Sequence, residues 1–422
     1  MPRGGDNPEV QFRMKSDLRN ELGESYEATL AEIAKRAQFY DLEGRFPTEN
    51  MQLLHRNGLL AYCVRKEFGG LGAGPGGDVG LYGRIIEDVS AACSSTGQAL
   101  AVHGTACAAI NLLGSRDQIR RLSEEVVSEG AVYGFFGSEP TQRFTKDGGR
   151  PGYDAEVRRA PGGWIANGQK FFSTNSMGAK RFLFFAMSQA DGEQGLAVPI
   201  IAVDAPGVKV HDTWDNIGQR ATSSGAVDVK EVFVADEFML GRPGAFSQVS
   251  PVLLSSFQLT FALELTGIAR GGLDFTIDYL KNHTKAPAGL PTLGHDPHVQ
   301  GRLGEMAVLV EATRAIVERA VQAVADADRD PTLAAIAHRR VLQAKIQASD
   351  AAIEVGTRLF QICGARATTR RAGADRFWRN ARTLSLHDVV DKQRAAVGRD
   401  LLGLEGDMGH VLASDAQRTN TA

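Results

Sequence analysis

Cysteine is scarce in this chain of 422 residues: only 4 occur (Cys63, Cys93, Cys107 and Cys363), far apart and without a C-x-x-C pair. That argues against a disulfide framework and a cysteine-based zinc site, and it fits a reducing cytoplasm. An excess of either charge is also missing. With 47 Lys+Arg against 50 Asp+Glu the net charge is −3, so no strong field draws the chain to nucleic acid or to an anionic membrane. Long apolar runs are absent too: stretches such as 196–203 fall well short of the roughly 18 residues of a membrane span. The N-terminal MPRGGDNPEVQFRMKSD has no apolar secretion core. Neither H-E-x-x-H nor a P-loop occurs, and only His295 and His298, inside a proline-rich loop, are spaced like metal ligands. No metal is expected.

What is present is an ordinary globular mixture, 43% hydrophobic and 23% charged. At about 150 residues per domain it is long enough for roughly three domains. The 47 glycines follow no period. Gly72, Gly74 and Gly77 do satisfy G-x-G-x-x-G, but a dinucleotide site needs that motif directly after a buried strand. Here K-E-F-G-G precedes it and Pro75 lies inside it. We read it as a loop between helices, so the chain offers no nicotinamide site.

Periodicity divides the chain into three zones with no internal repeat. From about 15 to 128 the pattern is helical, with Tyr26, Leu30, Ile33 and Ala37 on one face and Leu81, Ile85 and Val89 on another. From about 130 to 240 it is β. There Asn167-Gly168 predicts a hairpin turn, since both central turn positions need positive φ. RFLFFAM, VPIIAV, VKVHD and VDVKEVFVA follow as strands of an antiparallel sheet. From about 248 long helices return, at 252–280 and 333–360, with Leu303, Met306, Val310, Thr313, Val317, Ala320 and Val324 as a third stripe. Such helices form a bundle of about four, and 285–297 reads as an irregular loop. The expected boundaries are 1–129, 130–243 and 244–422.

Four segments carry the chemistry: S-E-P at 138–140, K-F-F-S-T-N at 170–175, T-W-D-N-I-G-Q-R-A-T-S-S-G at 213–225, and the run from C-G-A-R to S-L-H-D at 363–388. Together they resemble the acyl-CoA dehydrogenase superfamily over nearly the whole chain. That resemblance implies an α+β multidomain fold: an N-terminal helical domain, a middle antiparallel β-barrel-like domain and a C-terminal four-helix bundle. It also implies a flavin between the middle and last domains. The dehydrogenases' R-x-x-F-G element, which clamps FAD of a neighbouring subunit, is replaced by NHTKAPAGLP at 282–291, and their Glu-Gly-Thr by Asp388-Val389-Val390. The segment D-R-F-W-R-N-A-R-T-L-S-L-H-D is instead similar to flavin-dependent monooxygenases of this fold, of the dibenzothiophene monooxygenase kind.

That branch implies a two-component enzyme. Reduced FMN comes from a separate NAD(P)H:flavin reductase, O₂ adds to form a C4a-hydroperoxyflavin, and a small organic substrate is oxygenated, at sulfur or nitrogen first of all. The rival is an FAD-dependent acyl-CoA dehydrogenase or oxidase with Asp388 as base. A homotetramer is carried over from the family. The resemblance puts His387 near the oxygen-binding edge of the flavin, where an imidazole can supply a proton, with Asp388 beside it to orient that ring. Thr174 would bond the flavin ring, with Ser173 adjacent, Phe172 packed on it and Ser138 on the other side. Lys285 and Arg366 are its phosphate ligands, Trp214 a cavity wall. Phe135, Gln98, Val102 and His103 align with the pocket, His103 either as a hydrogen-bonder there or as a core histidine. The cluster Arg370, Arg371, Arg376, Arg379 and Arg382 is read as subunit or intra-bundle pairing.

Overall fold

The computed structural model describes residues 23–140, 152–246 and 251–404; the N-terminal segment read above for a secretion signal and the end of the last zone lie outside them. Helices α1 (Glu24–Glu43), α2 (Thr48–Arg56), α3 (Val79–Ala92), α4 (Ser94–Leu113) and α5 (Arg116–Glu129) make the first layer. Their apolar stripes face inward: Tyr26, Ile33 and Ala37 on α1 and Leu81, Ile85 and Val89 on α3 are buried. A capping box between Ser115 and Gln118 starts α5, and Gly130 at φ 70° ends it. The glycine-rich stretch 69–77 is a loop leading into α3, whose N-cap Asp78 accepts from the Leu81 N–H. No strand precedes it among the described residues.

The middle layer holds β1 (Tyr133–Phe136), β2 (Glu156–Ala160), β3 (Gly163–Lys170), β4 (Arg181–Phe184), β5 (Ala186–Ser188), β6 (Gly195–Ala197), β7 (Ile200–Ala202), β8 (Val208–His211) and β9 (Ala226–Ala235). They form two sheets, ordered β1-β4-β7 and β6-β5-β2-β3-β9-β8. Phe136, Phe182 and Phe184 of the first share a core with Val157, Val227 and Val232 of the second. Pairing is mostly antiparallel, but β1–β4 and β2–β5 run parallel.

The expected hairpin at Asn167-Gly168 is not there. The chain turns earlier, at Pro161-Gly162, so that Ala160 pairs with Gly163, and β3 runs straight through Asn167. The signal reported a real backbone demand but not its use. Gly168 has φ 150°, and the ladder to β9 slips between Ala166 and Gly168, a β-bulge. A Cβ there would stand 2.4 Å from that of Ala155.

The last layer is a bundle of α6 (Pro251–Asn282), α7 (Pro297–Arg329), α8 (Ala334–Cys363), α9 (Asp375–Ser385) and α10 (Val390–Leu401). On α7 the residues Met306, Val310, Thr313, Val317, Ala320 and Val324 are buried, as the stripe predicts. Gly267 of α6 lets α3 come close, since a Cβ there would lie 2.5 Å from the Glu87 carbonyl. At that crossing the buried Glu87 carboxylate is ion-paired at 3.0 Å to both Arg270 and Arg314, which offsets its desolvation. Among the described residues no helix is long and apolar enough to cross a membrane, and no group of three or more His, Cys, Asp or Glu could hold a metal ion.

Candidate active site between the three layers

All three layers contribute to one cavity of about 670 Å³, within the roughly 300–1,000 Å³ typical of small-molecule sites. From α4 come Gln98 and Val102, four positions apart and therefore on one helix face. The β layer supplies Phe135, Ser138, Phe172, Thr174 and, from the β8–β9 loop, Trp214 and Gln219. The bundle supplies Phe257, Gln258 and Phe261 of α6, His338 of α8, and Arg382, Thr383, His387 and Asp388 at the end of α9.

The backbone is under tension here. Among the described residues six non-glycine positions have positive φ. Phe172, Gln219 and Asp388, at 54°, 52° and 64°, line the cavity, and Asn175 and Ser223 adjoin them. Each such conformation costs on the order of 1–3 kcal/mol and persists only where the surroundings dictate it.

The β wall is fixed by short polar contacts. Lys170, fully buried, pairs with Glu139 at 2.6 Å, and the Glu139 carboxylate also accepts from the Asp154 and Ala155 N–H groups. This clamp explains why S-E-P and K-F-F-S-T-N occur together: the Glu of one holds the Lys of the other. Thr174 Oγ1 shares a hydrogen bond of 2.8 Å with Ser224 Oγ, which in turn contacts Thr222 Oγ1 at 2.7 Å. Trp214 donates its indole N–H to the Gln219 carbonyl at 2.7 Å and meets Phe172 edge-on at 6.0 Å. The Asn175 amide reaches the carbonyls of Ala99 and Tyr133, tying this wall to α4.

The helical wall is aromatic. The His387 imidazole stacks on Phe261, centroids 3.9 Å apart and planes 22° apart, and meets Phe257 edge-on at 5.7 Å. Asp388 Oδ2 accepts from Gln258 Nε2 at 2.8 Å. Two buried atoms on the lining, Gln219 Oε1 and Thr383 Oγ1, find no partner among the described residues. Buried polar atoms are normally bonded, so the cavity suits a flat aromatic ligand with polar ring edges.

Comparison with known proteins decides the family. Models of the N-terminal, middle and C-terminal domains of acyl-CoA dehydrogenase match residues 18–130, 135–232 and 253–388. The dibenzothiophene monooxygenase of Rhodococcus erythropolis is 30% identical over 404 residues, covering 90% of this chain and 91% of that one. The chain belongs to the acyl-CoA dehydrogenase family. Two solved structures share its shape. TdsC from Paenibacillus sp. A11-2, in complex with FMN and indole, superposes with a TM-score of 0.82 at 29% identity, covering 91% of this chain and 98% of that one. The methanesulfinate monooxygenase MsuC of Pseudomonas fluorescens gives 0.80 at 25% identity, covering 92% and 98%. Within the acyl-CoA dehydrogenase family this chain is an oxidoreductase of the flavin monooxygenase branch.

On that family frame the sequence-derived residues divide. His387, Asp388, Thr174, Phe172, Ser138, Phe135, Trp214, Gln98 and Val102 all line the cavity. His103 does not. It is fully buried behind the wall, where Nδ1 accepts from the Tyr133 N–H at 3.0 Å, so Nε2 carries the proton and donates to the Leu60 carbonyl at 3.1 Å. Burial pushes its pKa down to about 4, and it is a core histidine. Ser173 is buried and also off the lining, as are Lys285 and Arg366, both exposed. In the arginine cluster Arg379 pairs with Asp375 inside the bundle, as expected, and also with Asp41 of α1, outside it, whereas Arg382 lines the cavity. Phe257, Gln258 and Phe261 of α6 are among the lining residues that sequence reasoning missed. The i, i+4 aromatic pair in α6 was their one signal.

Proposed function

We propose that the chain is the oxygenase component of a two-component flavin monooxygenase, inserting one oxygen atom into a small aromatic substrate at sulfur or nitrogen. The observation that carries this reading is His387, stacked on Phe261 and opening into an aromatic cavity whose facing wall carries the Thr174 and Ser138 hydroxyls. FMN is the flavin: Phe172, Trp214 and Phe257 would hold its ring, Thr174 and Ser138 would offer it hydrogen bonds, and Gln219 and Thr383 would supply their orphaned polar atoms. TdsC was solved with FMN, and the FAD-clamping R-x-x-F-G element is missing here. Reduced FMN supplies the oxygen-activating chemistry when bound. The chain's own part is to exclude water with Phe135, Phe257 and Val102, and to hold a proton at His387 for the reacting oxygen.

With no nicotinamide loop of its own, the chain takes reduced FMN from a separate NAD(P)H:flavin reductase in the cytoplasm. We assign the domains to 1–129, 130–243 and 244–422 and the assembly to a homotetramer. In that assembly the exposed Lys285 and Arg366 of one protomer serve the flavin phosphate of another. Dibenzothiophene and indole, named with the relatives, are suitable first probes. The test is to mix the protein anaerobically with reduced FMN, admit O₂ and follow the spectrum. A long-lived absorbance of oxygenated flavin, consumed by a sulfur or nitrogen heterocycle, is expected. Reoxidation at the rate of free FMN overturns the reading. Tightly bound FAD, bleached by an acyl-CoA without O₂, would instead establish the dehydrogenase chemistry with Asp388 as base.

A further inference from the structure

Lys345 lies midway along α8 with no accessible surface. A buried ammonium is costly unless its N–H groups are bonded and counter-charge is near. Nζ donates to Gln258 Oε1 at 2.8 Å and to the backbone carbonyl of His387. Gln258 extends the chain of contacts, its Nε2 donating to Asp388 Oδ2 at 2.8 Å and its Oε1 also accepting from Gln393 of α10 at 3.3 Å. One node thus holds both residues of the His-Asp step, His387 by its carbonyl and Asp388 by its carboxylate. That step needs holding, because Asp388 sits at φ 64°. Phe261 joins the same arrangement: the imidazole stacks on it, and Nζ lies 5.2 Å from its centroid.

We propose that Lys345 is a positioning residue of the oxygenation site, which fixes the His387 imidazole against Phe261 through the His387 carbonyl and the Gln258–Asp388 link. This rests on the reading of the cavity as an oxygenation site. The titratable groups acting on Nζ are Asp388, from the turn between α9 and α10, and Glu264 of α6, while α10 contributes the neutral Gln393. Burial pushes Lys345 down to about 8 despite both carboxylates, and it pushes Glu264 well above the usual carboxylate range. Above that pH the node loses its charge, so the site acquires an alkaline limit from a group that does not line the cavity.

The test uses flavin-free protein labelled with ¹⁵N-histidine. The His387 ring signals, assigned with His387→Gln, are followed from about pH 6 to 10, spanning the ordinary histidine and lysine ranges. In the wild type an inflection near pH 8 is expected. Lys345→Met should displace the signals throughout and abolish the inflection. Lys345→Arg, charged at every pH used, should restore the position without the inflection. In turnover with reduced FMN, Lys345→Met should lower kcat about tenfold with KM little changed, and Lys345→Arg should lose the alkaline limb. If Lys345→Met does not fold, Gln258→Leu cuts the link to Asp388 and should displace the same signals. Superposition of the His387 signals of wild type and the folded variant overturns the proposal. The two readings fail separately: ring signals that track Lys345 in a protein that never oxygenates leave the positioning intact, and oxygenation with unmoved ring signals removes it.

Discussion

Lys170 and Lys345 are both completely buried, one behind the β wall of the cavity and the other behind its helical wall. Lys170 meets a carboxylate directly, with Glu139 at 2.6 Å, and lies over the rings of Tyr153 and Phe184 at 4.3 and 5.0 Å. Its charge is neutralised where it stands. Lys345 meets a neutral amide and a carbonyl, with Asp388 one link further on. The difference teaches which wall does what. The β wall is a closed clamp that sets shape, and the helical wall is a chain of contacts that runs from Lys345 to His387 and Asp388.

Breaking the clamp should give the largest change. Lys170→Met leaves the Glu139 charge buried without its counter-ion, which costs about 4 kcal/mol. A urea denaturation series should show that loss, while the pH profile of the remaining folded enzyme stays as in the wild type.

Acid probes the same side of the molecule. His103, held at about 4 against an ordinary value near 6.5, stays neutral in the fold while the unfolded chain takes up a proton. Its contribution is therefore complete above about pH 6.5 and is lost as pH falls towards 4, amounting to about 3 kcal/mol. His103→Gln should flatten that part of the stability–pH curve and leave product specificity unchanged.

The helical wall should respond in the opposite sense. His387→Phe should leave the denaturation midpoint close to that of the wild type but reduce coupled oxygenation about 100-fold. Hydrogen peroxide should replace product, which a paired product and peroxide assay will show. The smallest effect belongs to a single hydroxyl: Thr174→Val should weaken reduced-FMN binding by about 1 kcal/mol, measured by titration under anaerobic conditions.

The order of the layers was legible because helices such as α1, α3 and α7 show one face to a core, and 3.6-residue periodicity survives without knowledge of partners. The motifs pointing to the cavity were legible as well: the S-E-P, K-F-F-S-T-N and S-L-H-D segments all supply residues to it. What stayed hidden depends on pairing across the fold. Asn167-Gly168 declared a positive φ that a turn and a bulge both satisfy, and only the ladder to β9 decides between them. His103 could have faced either side of α4, and its bonds to Leu60 and Tyr133 settle that it faces the core. Lys345 and Gln258 lie on different helices, 87 positions apart, so nothing local announces that they meet.

Isotopic oxygen tests the central claim most directly. Incubated with reduced FMN, ¹⁸O₂ and a sulfur heterocycle, the enzyme should yield a product bearing one ¹⁸O per oxygenation step, at the heteroatom. A product free of label, or label found only in peroxide while an acyl-CoA reduces the bound flavin without O₂, would contradict the account.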